Sequence, residues 1–142
     1  MDPKLTFSVH SEIPHDTARL VDEGLGAANE EAAPLQDVER LSCFARLPSG
    51  EVVGGAIGRT WGECCELQQL WVDRDHRRRG IGSQIVAAFE LEAVERGCNR
   101  FYLETFSFQT PALYRKLGYD VALALEGFPD GIVKYLMTKR AD

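Results

Sequence analysis

The feature that most constrains this sequence is a glycine-rich turn between an extended segment and an amphipathic helix. The turn reads Arg-Arg-Arg-Gly-Ile-Gly-Ser over residues 77–83. Residues 65–72 before it are predicted to form a strand. After it, apolar residues recur every four positions, as on the buried face of a helix: Ile81, Ile85, Phe89 and Ala93. Residues 101–106 form the next predicted strand, and such a crossover places the two strands parallel in one sheet.

The remaining segments predict an α+β (mixed α/β) fold, with a twisted mixed sheet of about seven strands flanked by helices. A helical region is expected up to Ala33, divided into two pieces at Gly24 and Gly26 because glycine lowers helix propensity. Thr110 and Pro111 are expected to start a short helix that stops at Gly118. Alternating or apolar runs predict the other strands, over residues 5–9, 41–47, 51–60, 119–125 and 132–138.

Length and composition indicate one ordinary globular domain. The chain has 142 residues, of which 44% are hydrophobic and 27% are charged, and a domain typically contains roughly 100–200 residues. We therefore predict a single domain over residues 1–142. No apolar run approaches the roughly 18–20 residues that cross a bilayer, and the N-terminus leads into no apolar signal segment. These features predict a cytoplasmic protein without a membrane partner.

The four cysteines follow neither a disulfide pattern nor a metal-binding pattern. Cys64 and Cys65 are adjacent, whereas Cys43 and Cys98 stand alone. The chain has no C-x-x-C motif and no Cys/His spacing typical of zinc ligands. We therefore expect reduced thiols with packing roles and no bound metal.

The negative charge of the chain is concentrated in one segment. The formal net charge is −6, and residues 12–40 alone carry eight acidic and two basic side chains. The rest of the chain is neutral and contains one cationic run, over residues 74–79. An acidic protein with a single short arginine run lacks the extended basic footprint of nucleic-acid binders, so we expect no nucleic-acid partner.

The turn over residues 77–83 has the properties of an anion site. A helix N-terminus carries unpaired N–H groups and a partial positive charge. Gly80 and Gly82 allow close approach of a ligand to the backbone, and arginine side chains pair well with phosphate oxygens. A solvated arginine run with glycines needed only for the turn is the alternative. Neither the P-loop nor the dinucleotide-binding motif fits, because the turn has no lysine and Ile85 replaces the third glycine.

The chain resembles the GNAT superfamily of N-acetyltransferases. Arg77-x-x-Gly80-x-Gly82 after residues 70–73 is similar to the family's acetyl-coenzyme A signature, and Tyr114-x-x-x-Gly118-Tyr119 is similar to a second family motif. Residues 105–109 and 128–131 resemble one bacterial branch. The resemblance implies that the family's fourth and fifth strands, here residues 65–72 and 101–106, splay around the pantetheine arm. It also implies the cofactor-binding residues: Trp71, Val72, Arg77, Arg78, Arg79, Gly80, Ile81, Gly82, Ser83 and Thr105.

Amine acetylation needs a base that takes a proton from the amine and benefits from an acid at the leaving thiolate. Some family members carry a glutamate at the position that Glu66 matches, so Glu66 is the leading candidate base. Glu104, His76 and a chain of waters are the alternative bases. The alternative reading of Glu66 itself is an exposed strand residue with no catalytic role. The family motif makes Tyr114 the candidate acid. The alternative is that Tyr114 is a core tyrosine with a packing role.

These observations predict an acetyl-CoA-dependent N-acetyltransferase that moves an acetyl group directly to a primary amine of a small molecule or peptide. The acidic segment favours a cationic amine. A non-catalytic acyl-CoA-binding or sensor module on the same fold is the main alternative, and an unrelated phosphate-ligand protein is a third. A chain of this size is also compatible with a homodimer.

Overall fold

The computed structural model describes residues 4–141, which divide into two compact units between Leu35 and Gln36. The first unit contains one helix, α1 (His15–Ala32), and every residue of this helix is solvent-exposed or nearly so. The prediction that Gly24 and Gly26 divide it is wrong, because α1 is continuous through both glycines. Each glycine costs roughly 1 kcal/mol relative to alanine, and the leucines, alanines and glutamates around them compensate as good helix formers.

The predicted strand over residues 5–9 is also wrong, because residues 4–10 belong to no strand. Leu5, Phe7 and Val9 alternate with polar residues, yet they are 70%, 88% and 97% exposed. Alternation supplies one apolar face, but a strand also requires neighbours that bury this face and pair with its backbone groups. The sheet described by residues 36–141 consequently has six strands rather than seven.

The second unit is a six-stranded mixed sheet, which confirms the predicted fold class. Its order is β1-β2-β3-β4-β6-β5. All neighbouring strands are antiparallel except β3 and β4, which are parallel as the crossover predicts. The strands are β1 (Glu39–Arg46), β2 (Val52–Trp61), β3 (Cys64–Val72), β4 (Arg100–Phe106), β5 (Asp120–Leu125) and β6 (Lys134–Arg140).

Two helices complete this unit, α2 (Ile81–Glu95) between β3 and β4 and α3 (Pro111–Lys116) between β4 and β5. Helix α2 buries Ile85, Val86, Phe89 and Ala93 against the sheet. Pro111 is the first residue of α3, as predicted, and the left-handed Gly118 follows its end. No helix within residues 4–141 combines the length and hydrophobicity of a membrane span.

Two glycines of β2 allow α2 to lie close to the sheet. A Cβ atom at Gly54 would lie 2.8 Å from Ile85 Cδ1, and one at Gly58 would lie 2.8 Å from Phe89 Cζ and would also overlap the Glu66 carbonyl oxygen. The register between β2 and β3 shifts at Gly58. The sequence predicted a bulge or close packing at the β2 glycines, and the structure has both.

Candidate functional site

The sheet opens between β3 and β4. The two strands pair from Cys64 and Arg100 as far as Leu67 and Leu103, and no pair joins them beyond that point. The last residues of β3 continue to pair with β2, and those of β4 continue to pair with β6. The expected separation of these two strands is therefore present, and it creates a gap in the middle of the sheet.

Two adjoining cavities of about 260 and 340 Å³ occupy this gap. Both are lined by Leu67, Gln68, Glu104, Thr105 and Gln109. The smaller cavity adds Leu70, Thr110 and Tyr114, whereas the larger adds Glu66, Phe106 and Lys134. We refer to these two cavities together as the cleft: the candidate acid Tyr114 lines the smaller cavity, and both candidate glutamates, Glu66 and Glu104, line the larger one.

The turn before α2 leaves the helix N-terminus open. Gly80 is the N-cap residue, has φ 76°, and provides no side chain to satisfy the first amides. The four N–H groups at the start of a helix have no partner within it, so those of residues 80–83 are available to an external anion. Arg78 also has a positive φ of 65°, a conformation that disfavours residues other than glycine and is often found at functional sites.

Gly82 joins this turn to the rest of the cleft. A Cβ atom there would lie 3.5 Å from Leu113 Cδ2 and 3.7 Å from Val72 Cγ2. Leu113 belongs to α3, one residue before Tyr114, and Val72 ends β3. The open helix N-terminus, the free end of β3 and the helix that carries Tyr114 therefore meet at Gly82.

The residues around the turn differ in their surroundings. Arg77 donates from Nε to the Val72 carbonyl oxygen at 3.0 Å, which ties the turn to the end of β3. Arg78 and Arg79 are exposed, and Ile81 and Ser83 are half-buried in the first turn of α2. The Trp71 side chain is 51% exposed. The side chains of Arg78 and Arg79 are therefore accessible to solvent at the turn, whereas Arg77 is already engaged by the backbone.

Tyr114 is almost completely buried at the end of the cleft. It is 8% exposed, and its ring meets the Tyr119 ring edge-on at 6.0 Å between centroids. Burial raises the pKa of the Tyr114 hydroxyl above its ordinary value because a low-dielectric surrounding disfavours the phenolate. Like an ordinary tyrosine hydroxyl, whose pKa is about 10, this hydroxyl is protonated at neutral pH, as an acid requires.

Tyr119 is fixed by a buried polar cluster. Its hydroxyl donates to Glu90 Oε2 at 2.7 Å, and Lys139 Nζ donates to Glu90 Oε1, also at 2.7 Å. Burial, followed by the hydrogen bond to Glu90, raises the Tyr119 pKa far above its ordinary value. The cluster joins α2 to β6 and supports the ring on which Tyr114 packs.

Glu66 is a half-buried residue of β3 and is already paired. Arg59 donates from Nε to Glu66 Oε1 at 2.9 Å, across neighbouring strands. Tyr102 lies opposite Glu66 in the register of β3 and β4, and burial, followed by the negative charge of Glu66, raises the Tyr102 pKa. Glu66 therefore lies at the cleft wall, with the Arg59 guanidinium on one side and the Tyr102 phenol on the other.

The remaining candidates differ in their contacts. Glu104 pairs with Lys134 at 2.9 Å. The Thr105 hydroxyl and the Phe106 N–H both donate to Gln109 Oε1, at 3.1 and 2.8 Å. His76 Nδ1 lies 2.9 Å from Asp73 Oδ2 in the 3₁₀ turn before the arginines, and this hydrogen bond lowers the Asp73 pKa. His76 does not line the described cleft, so the structure does not favour it as the base.

Sequence reasoning did not identify four residues of the site: Arg59, Tyr102, Gln109 and Lys134. Gln109 and Lys134 line the cleft, whereas Arg59 pairs with Glu66 and Tyr102 lies opposite Glu66 in the strand register. Arg59 and Glu66 are seven residues apart, and Glu104 and Lys134 are thirty apart. Only the bulge at Gly58 and the pairing of β4 with β6 bring these partners together, so no local pattern could have found them.

The thiols do not form a reactive or metal-binding group. All four cysteines are free, and Cys65 and Cys98 are buried. Burial raises the pKa of the Cys65 thiol to about 12, which removes the thiolate that nucleophilic chemistry needs. Within residues 4–141, no three His, Cys, Asp or Glu side chains are grouped closely enough to hold a metal ion.

Comparisons with known proteins agree with this geometry. Residues 12–119 match the model of the acetyltransferase (GNAT) family. The chain is 36% identical over 110 residues to a blasticidin-S acetyltransferase from Streptomyces morookaense, covering 77% of this chain and 79% of that protein. It is 25% identical over 114 residues to a streptothricin acetyltransferase from Streptomyces lavendulae, covering 76% and 60%. The crystal structure of an acetyltransferase from Bacillus cereus ATCC 14579 is similar with a TM-score of 0.79, at 26% identity and over 94% and 97% of the two chains.

Proposed function

The chain belongs to the GNAT family of acetyltransferases, and from this membership we propose that it is an acetyl-CoA-dependent N-acetyltransferase. In this proposal the acetyl group moves directly to a primary amine of a small molecule or peptide. The observation that carries the proposal is the cleft between β3 and β4, which begins where their pairing stops at Leu67 and Leu103 and holds Tyr114 at one end. An acid, a candidate base and an anion site around one cleft match the needs of amine acetylation.

The residues present fit coenzyme A as the co-substrate that the GNAT fold implies. The amides of residues 80–83 and the side chains of Arg78 and Arg79 would hold the pyrophosphate. The edge of β3 that faces the gap, at Trp71 and Val72, would pair with the pantetheine amides. Thr105 lines the gap from β4, although its hydroxyl is already engaged by Gln109. When bound, acetyl-CoA supplies an acetyl group activated as a thioester.

The side chains of the cleft have complementary roles in this proposal. Glu66 accepts a proton from the acceptor's ammonium, directly or through a water, and the Arg59 ion pair keeps its carboxylate in place. Tyr114, whose hydroxyl is protonated at neutral pH, donates a proton to the leaving thiolate. Holding both substrates in one cleft removes the need for a covalent enzyme intermediate.

The acceptor proposed here is a cationic amine. The net charge of −6 lies within residues 12–40, and a segment of one sign of charge raises the local concentration of the opposite ion. Two relatives carry the names of blasticidin-S and streptothricin acetyltransferases, so these two compounds are the first acceptors to test. The four free cysteines suit the reducing cytoplasm, which is the location we propose.

A thiol-release assay tests the proposal against the alternative of a non-catalytic acyl-CoA sensor. The protein is mixed with acetyl-CoA and a panel of blasticidin S, streptothricin, polyamines, aminoglycosides, amino acids and lysine peptides, and free CoA is measured. An N-acetyltransferase releases CoA with at least one amine, at a rate that depends on Tyr114. Tight acetyl-CoA binding with no amine-dependent release across the panel would favour the sensor.

A further inference from the structure

A lysine side chain is held by a carboxylate in the larger cavity of the cleft. Lys134 Nζ lies 2.9 Å from Glu104 Oε2 and 5.7 Å from the centroid of the Phe106 ring. The Lys134 side chain is 37% exposed, whereas that of Glu104 is 56% exposed. A carboxylate together with an aromatic face is a general recognition element for an ammonium ion.

The position of this pair connects it with the proposed chemistry. Lys134 and Glu104 line the larger cavity together with Glu66, the candidate base. Glu104 also lines the smaller cavity, where Tyr114 lies. A primary amine is therefore held by Glu104, a residue that lines both cavities of the cleft, in the cavity that also contains the candidate base.

The other lysines of the second unit are placed differently. Lys139 donates to Glu90 on α2, 2.7 Å away, and packs over the Tyr119 ring. Lys116 is the last residue of α3 and is exposed. Lys134 is thus the lysine of residues 36–141 that lines the described cleft, while Lys116 provides a natural comparison on the same chain.

On the basis of the proposed function, we propose that Lys134 occupies the acceptor-amine position in the absence of substrate, and that acetyl-CoA alone acetylates it. Glu104 is then the carboxylate that binds the ammonium of an acceptor. Acetylation removes the charge of Lys134 and frees Glu104 for an external amine. The substrate class that this subsite selects is a protonated primary amine.

The self-acetylation step balances with the groups present. Glu104 takes one Nζ proton, and the Nζ lone pair attacks the thioester carbonyl carbon. A C–N bond forms and the C–S bond breaks, with its electron pair leaving on the sulfur of CoA. Tyr114 protonates this thiolate, and the second Nζ proton is lost from the new amide nitrogen to solvent. Solvent returns a proton to the Tyr114 phenolate, and Glu104 releases the proton that it took, which is the one proton set free overall. The products are N-acetylated Lys134 and free CoA.

The test is site-resolved mass spectrometry of the protein after incubation with acetyl-CoA and no added amine. We expect Lys134 to be acetylated about tenfold or more faster than Lys116, because only Lys134 is held in the cleft. Glu104→Gln and Tyr114→Phe should each slow the acetylation of Lys134 without affecting the acetylation of Lys116. The conservative Glu104→Asp variant should retain part of the preference, since it keeps the carboxylate.

A second measurement needs no acetyl-CoA. Brief labelling of the free protein with acetic anhydride should modify Lys134 more slowly than Lys116, because the amine is ion-paired, and Glu104→Gln should remove this protection. If the protein binds acetyl-CoA and releases CoA with an amine, yet Lys134 shows no preference, the inference is wrong and the proposed function stands. If acetyl-CoA does not bind at all, the proposed function fails, and the inference fails with it.

Discussion

Replacing Gly82 by valine should separate folding from cofactor binding. The position has helical rather than left-handed backbone, and a Cβ atom there would meet Leu113 at 3.5 Å and Val72 at 3.7 Å, which are ordinary contacts. Glycine in a helix is less favourable than alanine by roughly 1 kcal/mol, and valine lies between the two. The Gly82→Val protein should therefore fold with unchanged or slightly higher stability.

The affinity for acetyl-CoA should fall in the Gly82→Val protein, although the stability of the fold does not. The N–H groups of residues 80–83 must lie within about 3 Å of phosphate oxygens to bind them. Valine methyl groups beside these amides would hold the pyrophosphate away, and a lost hydrogen bond to a charged group costs roughly 1.5–3 kcal/mol. Acetyl-CoA should therefore bind at least about tenfold more weakly, because tenfold corresponds to about 1.4 kcal/mol.

Isothermal titration calorimetry with acetyl-CoA measures the affinity, and denaturant unfolding measures the stability of the same samples. Ala87→Val is the matched control, because Ala87 is an exposed residue of the same helix, farther from its N-terminus. The control should leave the acetyl-CoA affinity unchanged. A folded Gly82→Val protein with wild-type affinity would refute the assignment of the turn to the pyrophosphate.

Three further predictions concern catalysis. Tyr114→Phe should lower kcat far more than it raises the KM for acetyl-CoA, since the hydroxyl acts on the leaving thiolate; a kcat within about twofold of wild type would assign Tyr114 to packing. Glu66→Gln should lower kcat most at low pH and shift the ascending limb of the pH–rate profile, whereas an unaltered profile would favour Glu104 or a water. For a cationic amine, kcat/KM should fall as salt rises to physiological levels, because charges farther apart than about 8 Å become screened. Neutralising Glu30 and Glu31 together should flatten this salt dependence. A wild-type kcat/KM that does not change with salt would contradict electrostatic attraction of the amine by the acidic segment.

The sequence predicted the part of the fold that local chemistry determines. The order of strands and helices from β1 to β6 was predicted from turn glycines, from the apolar repeat of α2 and from the Thr110-Pro111 start of α3. Each of these signals depends on residues only a few positions apart. The N-terminal segment was predicted less well. Residues 5–9 have the alternation of a strand, but pairing depends on distant neighbours, and two glycines did not outweigh the helix-forming residues of α1.

The candidate site divides in the same way. Tyr114 and Glu66 could be proposed because short motifs mark their positions, and both line the cleft. Their roles stay predictions. The partners of the glutamates, Arg59 and Lys134, depend on a bulge and on cross-strand register, which a single sequence does not encode locally. The ion pairs that Glu66 and Glu104 form could therefore be identified only from the folded structure.

The central claim, direct transfer of an acetyl group from acetyl-CoA to an amine, is tested most directly with acetyl-CoA carrying a ¹³C-labelled acetyl group. The protein is incubated with this donor and the amine that gives most CoA release, and the products are identified by NMR and mass spectrometry. The account predicts that the label appears in an amide on the amine nitrogen, in amounts equal to the CoA released. Label found only as free acetate, or remaining in the thioester, would contradict it.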